Sequence, residues 1–258
     1  MVSDYGAGSP YTAAMLGSAL NLMPDAKVIE ISHHIPAYDL SQAAFLLRSV
    51  YLNFPLGSFH LICIDTSLAL HKQFLFAEVN GHYFLAADNG VFSLLFDIEP
   101  TKIYRILVDK DCINDLFPEK NVFLPLLAKF VQKGDLKGLA EPGKIETIKQ
   151  GIQALVEGNG IKGTIMMVDG YQNAITNVHK SLFEKIGANR NFKLFYWSKH
   201  SISKIHQHFN QGSAGDDVLL FNENGYLMIA IHRGKGAQLL GLKPGSKVVI
   251  EFESSEEN

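Results

Sequence analysis

His60-Leu61-Ile62-Cys63-Ile64, running straight into Asp65, and Phe74-Leu75-Phe76-Ala77-Glu78-Val79-Asn80-Gly81-His82-Tyr83-Phe84-Leu85 are the stretches that decide the fold. The first is a short unbroken apolar run, as a strand covered on both faces requires. The second is two apolar runs around Asn-Gly, a pair that accepts positive φ and so marks a tight hairpin turn. Upstream, Lys27-Val28-Ile29-Glu30-Ile31 has the β-branched density of a further strand, and residues 40–51 have helix-compatible spacing. Runs of these two kinds in alternation predict an α/β layer with a mainly parallel sheet. Downstream, residues 122–133 repeat apolar side chains at helical spacing, and Gly134 is placed to end that helix.

From about residue 137 the composition shifts to Gly, Lys and Glu, with breaks at Glu141-Pro142-Gly143 and Gly158-Asn159-Gly160. The expected domains are therefore 1–155 and 156–258. In the second, short runs at 163–168, 193–197, 217–222, 226–232 and 246–252 predict a small β-barrel or sandwich. The tail Ser254-Ser255-Glu256-Glu257-Asn258 reads as disordered.

A chain of 258 residues with 47% hydrophobic and 19% charged positions can bury two modest cores. Its net charge of -3 has no Lys/Arg-rich block, which removes the field that draws proteins to nucleic acid or anionic lipid. Small molecules or proteins are the favoured partners. Cys63 and Cys112 read as two separate reduced thiols, and no stretch reaches membrane-spanning length. A cytoplasmic protein is expected.

The candidate chemistry gathers at strand ends, where open α/β sheets place their ligand crevices. Asp4 stands in Ser3-Asp4-Tyr5-Gly6, Asp65 follows the Cys63 run, and Asp88-Asn89-Gly90 follows the Phe84 run. Each Asp taken alone is more often a turn or helix-cap residue than a ligand-binding one. In the second domain, Asp169-Gly170-Tyr171-Gln172-Asn173 offers a carboxylate, a ring and an amide, the set a cationic purine nucleoside needs. His33-His34 and His200, His206 and His208 lack zinc-motif spacing, so no metal is expected. The phosphate-cradling Gly motifs and the Gly-x-Ser-x-Gly elbow are also absent.

Taken in order, these segments resemble the S-adenosyl-L-methionine hydroxide adenosyltransferases, the adenosine-forming hydrolases related to fluorinase and chlorinase. Ser3-Asp4-Tyr5-Gly6 with Pro10-Tyr11, Ile31-Ser32-His33-His34-Ile35-Pro36, Asp88-Asn89-Gly90 and Asp169-Gly170-Tyr171-Gln172-Asn173 with Thr176-Asn177 carry the likeness. Asn224-Gly225-Tyr226-Leu227 and Leu240-Gly241-Leu242-Lys243-Pro244-Gly245 complete it. The resemblance implies a Rossmann-like N-terminal domain, a C-terminal β-barrel, and a homotrimer with sites between subunits. It implies S-adenosyl-L-methionine as substrate, with no separate cofactor.

Carried over by position, Asp4 would bind the ribose hydroxyls, Tyr38 would pack on the sugar, and Asn89 would line the site. Tyr171 would stack near the adenine, Asn173 would pair with its polar edge, and Asp169 would face the ammonium group. Asp65 matches the Asp that orients the attacking water. Lys72, beside His71, stands where the family has an Arg, and Pro118 in Phe117-Pro118-Glu119-Lys120-Asn121 stands where it has a His. Ser9 replaces an Asp and Glu223 a Ser on the methionine side, and an acidic Glu223 would repel the substrate carboxylate. Hydrolysis is the expected activity, with a catalytically impaired adenosine-binding trimer as the alternative. Halogenation fits less well, because Asp65 sets a negative charge where a halide would sit.

Overall fold

The computed structural model describes residues 1–67, 73–96, 98–109, 116–197 and 200–254, except for the side chain of Trp197. The chain divides into two compact units, Met1–Gly151 and Ile152–Asn258.

The first unit is built on a sheet of β1 (Val2–Ser3), β2 (Phe59–Cys63), β3 (Phe74–Val79), β4 (His82–Ala87), β5 (Lys102–Ile106) and β6 (Ala140–Pro142). Their spatial order is β1-β2-β4-β3-β5-β6. Pairings β1–β2 and β2–β4 are parallel, whereas β3 meets β4 and β5 in antiparallel fashion. The sheet is thus mixed and not mainly parallel. Its physical cause is the Asn80-Gly81 hairpin, with both residues at positive φ (51° and 75°), which folds β4 back along β3.

Successive residues of a strand face opposite ways, so β2 feeds two cores. Ile62 packs with α2 (Leu40–Val50) and α3 (Val91–Leu95) through Ala43, Leu47 and Phe92. Leu61 and Cys63 pack with α1 (Pro10–Leu22) and α4 (Leu124–Lys133) through Met15, Ala19 and Leu127. Cys63 is a buried free thiol, and Cys112 lies outside the described residues.

The expected helix over 122–133 begins as a π-helical turn, Glu119–Phe123, and becomes α4. Pro125, near the start of α4, has no N–H to donate back into the π-helical turn that directly precedes it. Gly134 ends the helix in the left-handed region (φ 75°), as expected. Residues 27–31, expected as a strand, are not one. Val28 and Ile29 are exposed, and the segment reaches the sheet edge only through the Val2–Ser32 bridge and main-chain bonds to Met1.

The second unit holds β7 (Leu155–Glu157), β8 (Gly160–Val168), β9 (Ala174–His179), β10 (Phe192–Trp197), β11 (His200–Ile202), β12 (Asp217–Phe221), β13 (Tyr226–Ile231) and β14 (Lys247–Phe252). Their order is β11-β10-β14-β8-β9-β13-β12, with β7 on β8 and every strand pairing antiparallel. The Ile205–Leu219 bridge joins the two ends, nearly closing the sheet into the expected barrel. Ile161, Ile165, Leu194, Leu219, Ile229 and Ile250 fill its interior. Two helices, α5 (Lys180–Gly187) and α6 (Gly236–Leu240), are added to the all-β pattern read from the sequence.

Candidate functional site

Three strand ends define the site in the first unit. Strands β1, β2 and β4 run parallel to one another, so their carboxyl ends deliver Asp4, Asp65 and Asn89 to the same edge. The Asp4 N–H donates to the Cys63 carbonyl (3.4 Å), which sets the turns bearing Asp4 and Asp65 side by side. Asp4 Oδ2 accepts the Tyr38 N–H (3.0 Å) and holds Tyr38 at φ 65° with its ring 72% exposed. Asp65 is itself left-handed (φ 45°), an unusual conformation for a residue with a Cβ.

Asn89 explains how that turn is held. Its Nδ2 donates to the Ile64 and Asp65 carbonyls (2.9 and 3.0 Å), and its Oδ1 accepts the Val91 N–H (3.2 Å) at the start of α3. Both N–H donors are thus used within the protein, and the residue's work is to brace the Asp65 turn. Ser9 likewise caps α1, accepting the Tyr11 N–H at 3.2 Å. His71 and Lys72 lie outside the described residues.

Two contacts here could not be read from the sequence. Glu119 is only 3% exposed, and its carboxylate accepts the Thr66 hydroxyl, one residue beyond Asp65. Burial pushes its pKa up, against the opposing pull of the Thr66 bond. Ser3 Oγ meets His33 Nδ1 at 2.5 Å, and His33, its pKa lowered by burial, lies parallel to the Tyr5 ring. Among the described residues no group of three His, Cys, Asp or Glu side chains is arranged to hold a metal ion.

In the second unit, Asp169-Gly170-Tyr171-Gln172-Asn173 forms the β8–β9 loop. Asp169 Oδ1 accepts the N–H groups of Tyr171 and Asn173 (2.9 Å each), and Oδ2 accepts Asn173 Nδ2 (2.9 Å). This closed Asx-type turn leaves Tyr171 projecting, 84% exposed. The Gln172 carbonyl receives the Ala237 N–H of α6 (2.6 Å), so the turn carrying Arg233 (φ 57°) stands beside the loop. Sequence reading passed over that arginine, since a lone Arg before Gly carries no pattern.

Glu223 is not brought to the same place. Ala174 pairs with Ile229 while His179 pairs with Tyr226, so the exposed 222–225 hairpin is at the other end of β9 and β13 from the Asp169 loop. An apolar cavity of about 490 Å³ between α1, α4 and β2, lined by Met15, Ala19, Leu124 and Leu127, contains none of the expected site residues.

An α/β unit with acidic strand-end turns, combined with an antiparallel barrel whose loop bears a carboxylate, a tyrosine and an amide, defines the class. The chain belongs to the SAM hydroxide adenosyltransferase family: its N-terminal domain matches residues 1–140 and its C-terminal domain residues 163–249. The (R)-S-adenosyl-L-methionine hydrolase of Thermus thermophilus is 24% identical over 96% of both chains, and that of Salinispora tropica 22% over 96% of this chain and 95% of its own. An uncharacterized conserved protein from Thermotoga maritima shares the fold with a TM-score of 0.85 at 21% identity, covering 97% of this chain and 98% of its own. A conserved hypothetical protein from Thermus thermophilus does so with a TM-score of 0.73 at 24% identity, covering 96% and 97%.

Proposed function

We propose that this chain hydrolyses S-adenosyl-L-methionine, or a close sulfonium nucleoside, to adenosine and L-methionine. The observation that carries the reading is the pairing of Asp4 and Asp65 on adjacent parallel strand ends, in a chain whose relatives are named for this hydrolysis. Water oxygen attacks the ribose 5′ carbon, the C5′–S bond breaks, and its electron pair stays on sulfur, which leaves as a neutral thioether. The sulfonium is already a good leaving group, so the protein's contribution is alignment and an oriented field. Asp65 orients the water and takes up its proton. Asp4 Oδ2 keeps lone pairs beyond the Tyr38 bond, and with Oδ1 can accept the ribose hydroxyls. In the second unit, Asp169 and Tyr171 are assigned to the ammonium group and the adenine.

The test is chromatographic, scoring adenosine from S-adenosyl-L-methionine with chloride present and absent. Release independent of chloride is expected, and Asp65→Ala is expected to lower kcat by about 100-fold or more. Full activity in that variant would remove the assigned mechanism. One observation favours a second reading: Pro118 stands at the family's His position and brings no side-chain donor. Adenosine binding seen by calorimetry, without turnover, would replace the hydrolase with a binding protein.

A further inference from the structure

Glu119 is one of only two carboxylates fully buried among the described residues, and the other, Asp88, is fixed by a side-chain amide and two main-chain N–H groups. Burying a carboxylate has a cost, and groups that bear it are held by specific partners. Glu119 sits at the head of the π-helical turn leading into α4. From there it meets both turns that carry the site's acids. The Thr66 hydroxyl donates to Glu119 Oε1 directly after Asp65, and Tyr5, directly after Asp4, buries a hydroxyl that makes no hydrogen bond among the described residues and whose pKa is raised by burial and by the nearby Cys63 and Glu119. Asn89 in turn grips the Ile64 and Asp65 carbonyls.

The Asp65 turn is thus clamped at both ends, by an amide from β4 and by a carboxylate from the α4 lead-in. A left-handed residue with a Cβ persists only when its surroundings over-determine it. We propose that Glu119 is a positioning residue: through the Thr66 hydroxyl it holds the turn that aims Asp65, so the segment bearing Pro118 still acts on the site. This rests on the hydrolase reading of Asp65. Glu119 touches no reacting atom. A neutral amide of the same shape keeps the Thr66 bond, whereas truncation to Ala or loss of the Thr66 hydroxyl releases the turn.

The experiment compares full-length wild type with Glu119→Gln, Glu119→Ala, Thr66→Val, Thr66→Ser and the Glu119→Ala/Thr66→Val double variant. Expected is a kcat about tenfold lower in Glu119→Ala and Thr66→Val, with KM changed less than about twofold, since a misaimed group costs rate more than binding. The double variant should be no slower than either single one, because both remove the same link. Glu119→Gln and Thr66→Ser should stay within about twofold of wild type. Additive losses, a Gln variant as slow as the Ala variant, or an unaffected Ala variant would each overturn the proposal. If Glu119→Ala fails to fold, the Thr66→Val and Thr66→Ser pair decides it.

Hydrogen exchange at the amides of residues 64–66 provides a readout independent of turnover. It should be faster in Glu119→Ala and Thr66→Val and unchanged in Glu119→Gln. A wild type that releases no adenosine overturns the hydrolase reading alone, and exchange then judges the positioning role. Equal exchange in all variants overturns that role, whatever the activity.

Discussion

At the scale of single residues, what matters is how many partners a polar atom already has. Asn89 and Ser9 were both candidates for binding, and both bond the backbone: Asn89 spends its two N–H donors on the Asp65 turn, while Ser9 caps α1 as an acceptor and keeps its hydroxyl proton. The buried pair His60 and His82 makes a different point. Nε2 of one lies 3.3 Å from Nδ1 of the other, among Tyr51, Phe54 and Phe84, and burial followed by repulsion from His82 lowers the His60 pKa to about 4. His82 is lowered as well, by burial. A histidine with a depressed folded pKa stabilises the protein above its unfolded value and loses that contribution as pH falls through the window between the two. The stability of wild type should therefore drop between about pH 6.5 and pH 4, by on the order of 3 kcal/mol from His60. Urea midpoints across that range should fall less steeply for His60→Leu. An equal slope would show that acid sensitivity arises elsewhere. Glu119 has the opposite sign: its raised pKa leaves it protonated while the unfolded chain ionises, so stability declines as pH climbs above the ordinary Glu range. The advantage of Glu119→Gln over wild type in urea should widen with rising pH, with Asp4, Tyr5 and Cys63 the titratable neighbours to account for. A constant advantage would mean that the carboxyl titrates normally.

At the scale of elements, the segment after β6 shows how one carboxylate fixes a stretch of chain without regular structure. Asp88, at the end of β4, accepts Gln73 Nε2 and the N–H groups of Glu146 and Thr147, and Ser93 Oγ accepts the Lys149 N–H (2.9 Å). Gly90, at φ 98°, lies so close beneath this segment that an added Cβ would stand 2.5 Å from Lys149 Cγ. Asp88→Ala would leave part-buried donors without their acceptor and should cost about 1–2 kcal/mol in urea unfolding. A loss below about 0.5 kcal/mol would show that water replaces the carboxylate at no cost. Elements were legible where local chemistry and tertiary demand agreed: the Asn80-Gly81 hairpin, the β2 run and the Gly134 stop all stand as read. Strand β9 was missed because Thr176 and Asn177 made it look like a polar motif. In the barrel Thr176 is fully buried, and Asn177 Oδ1 accepts the Thr164 N–H (2.8 Å), so both polar side chains serve the sheet.

For the whole molecule, the proposed assembly is a homotrimer. Tyr38 and Tyr171, the two rings assigned to the nucleoside, are 72% and 84% exposed, which leaves both rings available to a partner surface. Light scattering should give three times the 28.5 kDa monomer mass, and a stable monomer would remove the trimer. The sequence by itself determined the α/β-plus-barrel plan, the hairpin, and the acids at the strand ends, because alternation, turn propensity and chain order are local properties that each residue carries with it. Only the tertiary structure decided that the first sheet is mixed, that Glu223 and the Asp169 loop occupy opposite ends of the barrel, and that Glu119 reaches the Asp65 turn across 53 positions of chain. Those facts depend on strand register and on which distant groups share a buried space, and neither is encoded in the spacing of neighbouring residues.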